Sequence, residues 1–494
     1  MTLVRKVSKK LFSFHRKDLQ KELLVFLWLG IVIFTCRFIG SMVLPVYDDA
    51  FITFRYAKNF AVGNGFVYNI SESVLGTTSP AFGVLCTLFY LLSLPMPQAV
   101  IVMNIFLDLI IFYLTIYALP HDKRYLFSII FGVLFSVSPI MNRICIGGME
   151  ANLFLACSII SILLYLKQFK KSAIILASIS YFLRPEALIL IGLLCAKEWV
   201  YYKKTASLKL ALIAILTLAF PLMTIFHFYG QIISSSIIAK ATMVRKVTFI
   251  NIIRRLLIPD LLIASLMPLA TFAFIININK EKKSFVKFVA IFAFIYVAAY
   301  LIARPQIWSW YGEVIYYSIL LLATLMIMNI LEGLLYFQMK IFRHISLILT
   351  FLPIATWIFL WAKIGPSSVT SNVYRPLQAW CKMNIKNSDS ILAEDIGAIG
   401  YYSNAYIYDL EGLVWPKALS SRSREDIILS YLPDYLFLVA CRTNIKMMDK
   451  DFINKIYKPI ARFSRKKISD MSLDPSKYSQ NWDVDYIIFK KVNN

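Results

Sequence analysis

The chain has 494 residues, of which 59% are hydrophobic and only 16% are charged. Soluble globular chains have roughly 45–50% apolar and about 25% charged residues, so this composition excludes a set of soluble domains and predicts a polytopic membrane protein. The net charge of +24 would indicate nucleic-acid binding in a soluble chain. Most of the excess Lys and Arg lies in segments that the topology predicted below places in the cytoplasm. The positive charge is therefore explained by membrane topology, which excludes nucleic acid as a partner.

The first predicted element is an apolar run at about 23–44 that follows a basic N-terminal segment. The run is too long for the apolar part of a signal peptide and lacks a cleavage site of small residues, so it predicts an uncleaved span with a cytoplasmic N-terminus. A crossing helix needs roughly 20 mostly apolar residues. Further suitable runs follow at about 97–118, 125–141, 149–166, 206–227, 259–277, 285–303, 313–333 and 345–361.

Two more apolar stretches allow alternative topologies. If 79–94 crossed the membrane, the basic loop with Lys123 and Arg124 would lie outside, so the positive-inside rule favours an interfacial or re-entrant helix there. The stretch 172–196 lies between two basic loops and should cross twice, as two short helices joined near 183–186. These assignments predict about eleven crossings, with the N-terminus inside and the C-terminus outside.

Two regions outside the predicted spans exceed ordinary loop length. They are the loop 45–80 and the tail 362–494, where hydrophobicity falls and charges of both signs mix. Strand-like runs alternate with helical stretches in the tail, which predicts a small extracytoplasmic α/β domain. These runs are 390–395, 405–412, 434–440 and 485–492. We therefore expect an all-α transmembrane domain over 1–361 and an α/β domain over 362–494.

The loop 45–80 contains two adjacent acids, Asp48 and Asp49, a few residues beyond the end of the first span. A predicted helix follows them and ends at the Gly-Asn-Gly turn at 63–65. Asp48 could act only as the N-terminal cap of this helix. A cap needs one carboxylate, however, and two adjacent carboxylates repel each other. Such a pair suits a general base, a metal ligand or both.

This loop also carries the first of several segments that resemble a known enzyme superfamily. In order along the chain, they resemble the GT-C glycosyltransferases that use polyprenyl-phosphate sugars. The likeness is greatest to bacterial relatives of the mycobacterial terminal arabinofuranosyltransferases, and more distant to the protein O-mannosyltransferases. The segments are DDAFITFRYAKNFAVGNGFVYN (48–69), LGTTSP (75–80), GGMEANLF (147–154), LRPEAL (183–188), YGQIISSSIIAK (229–240), AEDIGAIGYYS (393–403) and YDLEGLVWP (408–416).

The resemblance implies a GT-C-type domain with interfacial helices in the first outer loop, in the inner membrane of a bacterium and with an extracytoplasmic tail. It also implies transfer of a hexosyl or pentosyl unit from a polyprenyl-phosphate donor to a glycan, lipid or protein acceptor. The catalytic acid of the family maps onto the pair Asp48 and Asp49, without distinguishing between the two.

A donor of this kind makes modest chemical demands on the protein. Its leaving group is a lipid phosphate that departs without a general acid. The protein therefore has to deprotonate the acceptor hydroxyl and neutralise the phosphate. A carboxylate within about 3 Å of the hydroxyl can do the first, and Arg, Lys or a divalent cation such as Mg or Mn can do the second. A single base favours direct in-line attack with inversion.

Several basic residues fall on the predicted outer side, where the positive-inside bias should deplete them. The segment 248–260 is typical of an interfacial amphipathic helix, which would hold its Arg pair at headgroup depth. Snorkelling or contact with anionic lipid would explain any one of these bases equally well. The candidate ligands for the donor phosphate are Lys240, Arg245, Lys246, Arg254, Arg255 and Arg304.

Three further residues are candidates for contact with the substrate or with a metal ion. Glu150 falls in the second outer loop, on the same predicted side as the Asp pair. A solvated loop acid or a helix cap would explain Glu150 equally well. Arg55 and Tyr56 belong to the helix that follows the Asp pair.

Two pairs of charged residues near the predicted spans have a structural interpretation. Arg184 and Glu186 should pair across the short hairpin, and Asp108 should pair with Arg37 of the first span. A charge inside a membrane domain is costly unless a partner neutralises it.

A lipid or glycan transporter or flippase is the alternative function. Such a protein should carry its main polar groups near the middle of the membrane, on broken helices and often in repeated halves. This sequence has no evident internal repeat, and its conspicuous acids fall at the outer edge. The transferase is therefore the preferred hypothesis.

Overall fold

The structure is a computed structural model, and helices make up most of what it describes. The described residues are 2–201, 204–242, 248–277, 284–305, 307–334, 370–421, 423–439, 451–464 and 485–492, with four isolated positions between 355 and 362. The predicted span at 345–361 therefore falls almost wholly outside the described residues, and so do the predicted ligands Arg245 and Lys246.

Fifteen of the described helices precede the tail. They are α1 (Thr2–Val43), α2 (Asp48–Ala61), α3 (Pro80–Leu91), α4 (Gln98–Tyr117), α5 (His121–Val137), α6 (Pro139–Ile146), α7 (Ala151–Leu166), α8 (Lys170–Ile179), α9 (Ala187–Tyr201), α10 (Lys204–Tyr229), α11 (Ser235–Thr242), α12 (Phe249–Leu257), α13 (Leu261–Asn277), α14 (Phe285–Ala303) and α15 (Glu313–Leu334). Short 3₁₀ turns at Ser180–Phe182 and Ser309–Gly312 precede α9 and α15.

Five helical segments in the described part of the chain are long and apolar enough to cross a membrane. They are Glu22–Val43 of α1, all of α4, α10 and α14, and Ser309–Ile330. Two bent pairs could each provide one more span: α5 with α6, bent by 65°, and α12 with α13, bent by 92°. The fold is thus helical, with five to seven membrane-length elements. The other predicted crossings correspond to α7, α8 and α9, which have 16, 10 and 15 residues.

The two ambiguous stretches form short helices. The apolar stretch 79–94 contains α3, whose 12 residues extend over only about 18 Å, too short for a hydrocarbon core of about 30 Å. The stretch 172–196 forms α8 and α9, which pack against each other and are joined through Ser180–Phe182 and the following turn. The prediction of two short helices meeting near 183–186 is therefore confirmed, but at 10 and 15 residues each is shorter than a crossing of the hydrocarbon core requires.

A buried ion pair joins α1 to α4. Nε of Arg37 lies 2.5 Å from Oδ2 of Asp108, and both side chains are fully buried. The same guanidinium donates to the carbonyl of Phe135 at 3.0 Å, and Asn152 donates to Oδ1 of Asp108 at 2.5 Å. The predicted pairing of Asp108 with Arg37 is confirmed. Four helices (α1, α4, α5 and α7) meet at this pair.

The tail forms a five-stranded mixed sheet with the order β2-β1-β3-β5-β4. Strands β1, β2 and β3 are parallel, whereas β5 pairs antiparallel with both β3 and β4. The elements are α16 (Arg375–Asn384), β1 (Ser390–Ala393), α17 (Gly397–Ser403), β2 (Tyr406–Asp409), α18 (Arg424–Tyr431), β3 (Tyr435–Val439), α19 (Asp451–Ile456), β4 (Tyr457–Ser464) and β5 (Asp485–Lys491). The predicted α/β fold is confirmed, with β4 as an additional strand.

The two faces of the sheet belong to different cores. Along β3, Tyr435, Phe437 and Val439 join a hydrophobic cluster that continues into the helices of the membrane domain. The alternate residues Leu436 and Leu438 join a separate cluster on the opposite face. Because side chains alternate across a strand, one face of the sheet packs toward the membrane domain.

Replacing Arg37 with Leu should strongly destabilise the protein, because it leaves the carboxylate of Asp108 buried without its charged partner. Breaking a buried pair in this way costs roughly 3–5 kcal/mol. Thermal unfolding in detergent should show a large loss for Arg37→Leu, most of it recovered in the double variant Arg37→Leu/Asp108→Leu. Phe38→Leu, at a neighbouring exposed position of α1, is the control. Equal stability of Arg37→Leu and Phe38→Leu would contradict the prediction.

Candidate functional site

The Asp pair lies in the first turn of α2, where the free N–H groups of a helix start favour negative charge. Tyr47 occupies the N-cap position, and no side chain caps this end of the helix. The alternative in which Asp48 caps its own helix is therefore wrong. The chain leaves α2 through Gly63, whose φ of +85° is the left-handed conformation that glycine adopts without strain.

Asp48 binds the tail. Its Oδ2 accepts a hydrogen bond from the backbone N–H of Gly397 at 2.8 Å, and its Oδ1 accepts one from Ala398 at 2.8 Å. These two N–H groups belong to the first turn of α17. A Cβ atom on Gly397 would lie 1.8 Å from the backbone oxygen of Asp48, so only glycine permits this approach. Asp48 thus connects the loop 45–80 to the tail.

Burial raises the pKa of Asp48 to about 7, and the carboxylates of Asp395 and Asp49 contribute to the increase. Hydrogen bonds from the N–H groups of Ala398 and Gly397 act in the opposite direction. Since burial is the largest contribution, the neutral form of Asp48 is favoured relative to that of an exposed Asp.

Asp49 has different surroundings. Its side chain is 33% exposed, and its Oδ2 lies 3.9 Å from Nζ of Lys240 on α11. Lys240 also donates to the hydroxyl of Tyr311 at 3.2 Å. Burial lowers the pKa of Lys240, but Tyr311 and Asp49 outweigh this and hold it above its usual value. The structure therefore places Asp49 beside Lys240, one of the predicted phosphate ligands, and favours the charged form of Lys240.

The segment 75–80 fixes the position of α11. The backbone N–H of Ser235 donates to the carbonyl of Leu75 at 2.8 Å, and the hydroxyl of Ser236 donates to the carbonyl of Gly76. Both serines are buried at the start of α11. Lys240 is five residues further along this helix, so these contacts determine where its ammonium group lies.

Arg55 is engaged by the protein itself. Its side chain is buried and donates to the carbonyls of Tyr68 at 2.7 Å, Gly400 at 2.8 Å and Ala405 at 2.7 Å. The guanidinium also lies over the ring of Tyr68, 4.2 Å from its centroid. Gly400 and Ala405 belong to the tail, so Arg55 is a second connection between the loop 45–80 and the sheet domain. These contacts support a structural role for a residue that the sequence suggested as a substrate or metal contact.

Tyr56 is also engaged internally. Its hydroxyl donates to the carbonyl of Val74 at 2.6 Å and accepts from the N–H of Gly76 at 2.7 Å. The side chain is fully buried. Tyr56 therefore orders residues 74–76, which help to position α11. Its influence on the site is exerted through this segment.

A pocket of about 670 Å³, here called the arginine pocket, contains two of the predicted phosphate ligands. Arg254 and Arg255 on α12 line it together with Arg143 on α6, and Trp308 forms part of its wall. Arg255 donates to the carbonyl of Ile307 at 2.5 Å. The remaining wall is mostly apolar but includes the acid Asp260, so the lining carries three cations and one anion.

The arginine pocket adjoins the Asp pair through Tyr47. The guanidinium of Arg143 lies 5.6 Å from the centroid of the Tyr47 ring. The hydroxyl of Tyr47 bonds that of Ser309, a residue of the pocket wall, at 2.8 Å. Tyr47 directly precedes Asp48 in the chain, so the pocket and the acids occupy adjacent positions.

Arg304 lies apart from this group. It follows α14 in a left-handed conformation, with φ of +47°, and its side chain is exposed. It is not among the residues that line the arginine pocket. Of the predicted phosphate ligands that the structure describes, Lys240 therefore pairs with Asp49, Arg254 and Arg255 line the arginine pocket, and Arg304 does neither.

Glu150 belongs to a buried cluster around Arg184. The guanidinium of Arg184 lies 3.3 Å from Glu150, 2.9 Å from Glu186 and 3.8 Å from Glu313. The predicted pairing of Arg184 with Glu186 is confirmed, with two additional acids. The ring of Tyr311, which binds Lys240, has its centroid 4.8 Å from the same guanidinium. Glu150 is only 3% exposed. It therefore supports the site indirectly, through Arg184.

Arg143 and Glu313 are two charged residues of this region to which the sequence analysis gave no specific role. Arg143 carried a usable signal, because it is a base in the second predicted outer loop. Glu313 was visible only as an acid at the start of a span. Within the ranges that the structure describes, no group of three or more His, Cys, Asp or Glu side chains is arranged to hold a metal ion.

Comparison with known proteins gives one match. The sequence profile of a domain of unknown function (DUF8728) matches residues 367–486, about a quarter of the chain. The matched region contains Gly397 and Ala398, which bind Asp48. None of the curated proteins matches the chain.

Raising the pH from 5 to 8.5 should destabilise the wild-type protein relative to Asp48→Asn. The asparagine is uncharged, as protonated Asp48 is. The folded-state pKa of about 7 exceeds the ~3.9 of an unfolded Asp, so the stability that this proton provides is lost as the pH rises through 7. Thermal midpoints of the two proteins at both pH values measure the difference. A difference that does not change with pH, as expected for the exposed control Asp426→Asn, would contradict the prediction.

Proposed function

We propose that this protein is an integral membrane glycosyltransferase of the GT-C type, which moves a sugar from a polyprenyl-phosphate donor to an acceptor hydroxyl. The observation that carries the proposal is the position of Asp49. Asp49 is a partly exposed carboxylate paired with Lys240, and Tyr47, two residues earlier, contacts Arg143 and Ser309 of a pocket lined by three arginines. One group can accept a proton while the others neutralise a lipid phosphate.

Asp49 is the proposed base, and Asp48 is the proposed anchor. Both oxygens of Asp48 accept backbone hydrogen bonds from the tail, whereas Asp49 is one-third exposed and has a cation beside it. A base has to approach within about 3 Å of the hydroxyl that it deprotonates. The accessible acid of the pair suits this task better.

The reaction follows from these positions. Asp49 takes the proton of the acceptor hydroxyl as the oxygen attacks the anomeric carbon of the sugar. The bond from that carbon to the phosphate oxygen breaks, and its electron pair leaves with the polyprenyl phosphate. The arginines and Lys240 stabilise the extra negative charge on the leaving phosphate. Attack opposite the leaving group gives inversion, and a divalent cation such as Mg or Mn could assist at the phosphate.

The proposed setting is the inner membrane of a bacterium. The chain would cross it about eleven times, with a cytoplasmic N-terminus and with the loop 45–80, the arginine pocket and the tail on the extracytoplasmic face. Support comes from the membrane-length helices and from the basic loops between them. The transporter alternative gains no support from Asp108, since this acid within α4 is neutralised by Arg37.

Asp49→Asn should abolish transfer without unfolding the protein. Losing a general base reduces the rate typically by 10²–10⁴-fold, and the ion pair of Asp49 is with Lys240 of α11 and not with the tail. The measurement is release of polyprenyl phosphate from a labelled polyprenyl-phosphate sugar in membranes that contain the native envelope acceptors. Asp426→Asn, an exposed acid of the tail, is the matched control. Wild-type turnover by Asp49→Asn would overturn its assignment as the base.

Arg143→Gln should raise the KM for the donor about tenfold, which corresponds to the ~1.4 kcal/mol at the lower end of a hydrogen bond to a charged group. Arg304→Gln is the matched control, because Arg304 is exposed and does not line the pocket. Its KM should stay at the wild-type value. Equal values for the two variants would remove Arg143 from the donor site.

A further inference from the structure

A second large cavity shares no lining residue with the arginine pocket. It is a groove of about 830 Å³ between the C-terminal part of α10, α3 and the loop that follows α2. Its walls are aromatic and aliphatic and include Phe66, Val84, Phe182, Phe220 and Phe228. It is here called the α10 groove.

The α10 groove opens toward the lipid side of the protein. Helix α10 is a membrane-length helix with few buried residues. Phe220 and Phe228 on the groove wall are 74% and 64% exposed, and Val84 on α3 is 49% exposed. Apolar surface of this kind is stable only against hydrocarbon or another apolar partner. Because its wall is also the lipid-facing surface of α10, a lipid chain can enter the groove sideways from the bilayer.

The dimensions of the α10 groove match one leaflet. The stretch of α10 along the groove, from Phe220 to Tyr229, rises by roughly 15 Å at 1.5 Å per residue. This equals about half of a hydrocarbon core of about 30 Å. In the proposed topology this stretch is the extracytoplasmic end of α10, so the groove extends along the outer leaflet.

The top of the α10 groove is lined by polar side chains. Asn64, Ser71, Glu72 and Ser73 line this end, and among the residues that the structure describes, no Lys, Arg or His lines the groove. The carboxylate of Glu72 accepts a hydrogen bond from Tyr406 at 2.7 Å. A lipid phosphate would meet an acid here and no compensating base, whereas uncharged hydroxyl groups would find several hydrogen-bonding partners.

We propose that the α10 groove binds the hydrocarbon chain of the acceptor, and that the acceptor is therefore a lipid with an uncharged, hydroxyl-rich head. This inference rests on the proposed function. The two cavities divide the substrates by charge: the arginine pocket takes the anionic donor, and the base-free groove takes the neutral lipid.

The distance between the groove and the base constrains the head of this lipid. Phe60 lines the groove, and Asp49 lies eleven residues earlier on the same helix. Eleven residues of helix span roughly 16 Å. A lipid whose chain lies beside Phe60 therefore needs an extended head group, as in a glycolipid, for its hydroxyl to reach Asp49.

Photolabelling tests the occupant of the α10 groove. The full-length protein in nanodiscs is exposed to three diazirine probes of similar chain length: a neutral alkyl maltoside, a polyprenyl phosphate and a phosphatidylglycerol. The maltoside should label peptides that contain Val84 and Thr224 at least fivefold more than the two anionic probes do. Preferential labelling of these peptides by polyprenyl phosphate would assign the groove to the donor and overturn the proposal. Equal labelling by all three probes would mean ordinary surface lipid and would also overturn it.

Thr224→Trp fills the α10 groove, and Leu216→Trp is the matched control, because Leu216 is a lipid-exposed residue of the same helix outside the groove. Labelling by the maltoside should fall at least fivefold in Thr224→Trp only. Equal labelling of the two variants would overturn the proposal.

Hydrolysis of the donor, measured in the same variants, separates this proposal from the proposed function. It should be unchanged in Leu216→Trp, because Leu216 lines neither cavity. Absence of any donor turnover in the wild type would count against the proposed transferase activity itself. Normal donor turnover with no loss of maltoside labelling in Thr224→Trp would count against the groove alone.

Discussion

The side chain of Arg55 is the contact on which the geometry of this site most depends. A buried guanidinium is costly unless its donors are satisfied, and Arg55 satisfies them with carbonyls from both its own loop and the tail. The loop and the sheet domain must therefore dock in one relative position. That docking brings the N–H groups of Gly397 and Ala398 to Asp48, and it leaves Asp49 turned away from the tail, toward Lys240.

Helical geometry explains how two adjacent acids acquire different roles. Successive residues of an α-helix point about 100° apart, at 3.6 residues per turn. When Asp48 points at α17, Asp49 must point elsewhere, here toward α11. The repulsion between them is reduced because Asp48 holds a proton more readily than an exposed Asp does. A single Asp could not both anchor the tail and remain accessible to a substrate.

Local patterns in the sequence predicted much of the fold but less of the site. The apolar runs identified α1, α4, α10, α14 and α15, and four strands of the tail followed from their hydrophobic pattern. Strand β4 (YKPIARFS) was missed because its Pro, Lys and Arg resemble a loop, and its pairing with β5 is not encoded locally. The Asp pair was found from its chemistry, but the division of roles depends on Gly397, almost 350 residues away. No local pattern can indicate which acid such a distant backbone will bind.

The separation between Arg55 and its partners also governs how the protein can be made. Arg55 and Gly400 are 345 positions apart in the chain. At roughly 5–20 residues per second of synthesis, the loop leaves the ribosome roughly 20 to 70 s before the strand and helix that complete it. Throughout that interval the Arg55 guanidinium has no tail carbonyls to bind. The side chain of Asn69 forms hydrogen bonds with the N–H and the carbonyl of Ile407 on edge strand β2. During the same interval Asn69 likewise lacks these partners. The site is thus completed only after residue 405 has been synthesised, and ribosomes that stop before residue 400 would release chains in which the proposed base is present without the tail contacts.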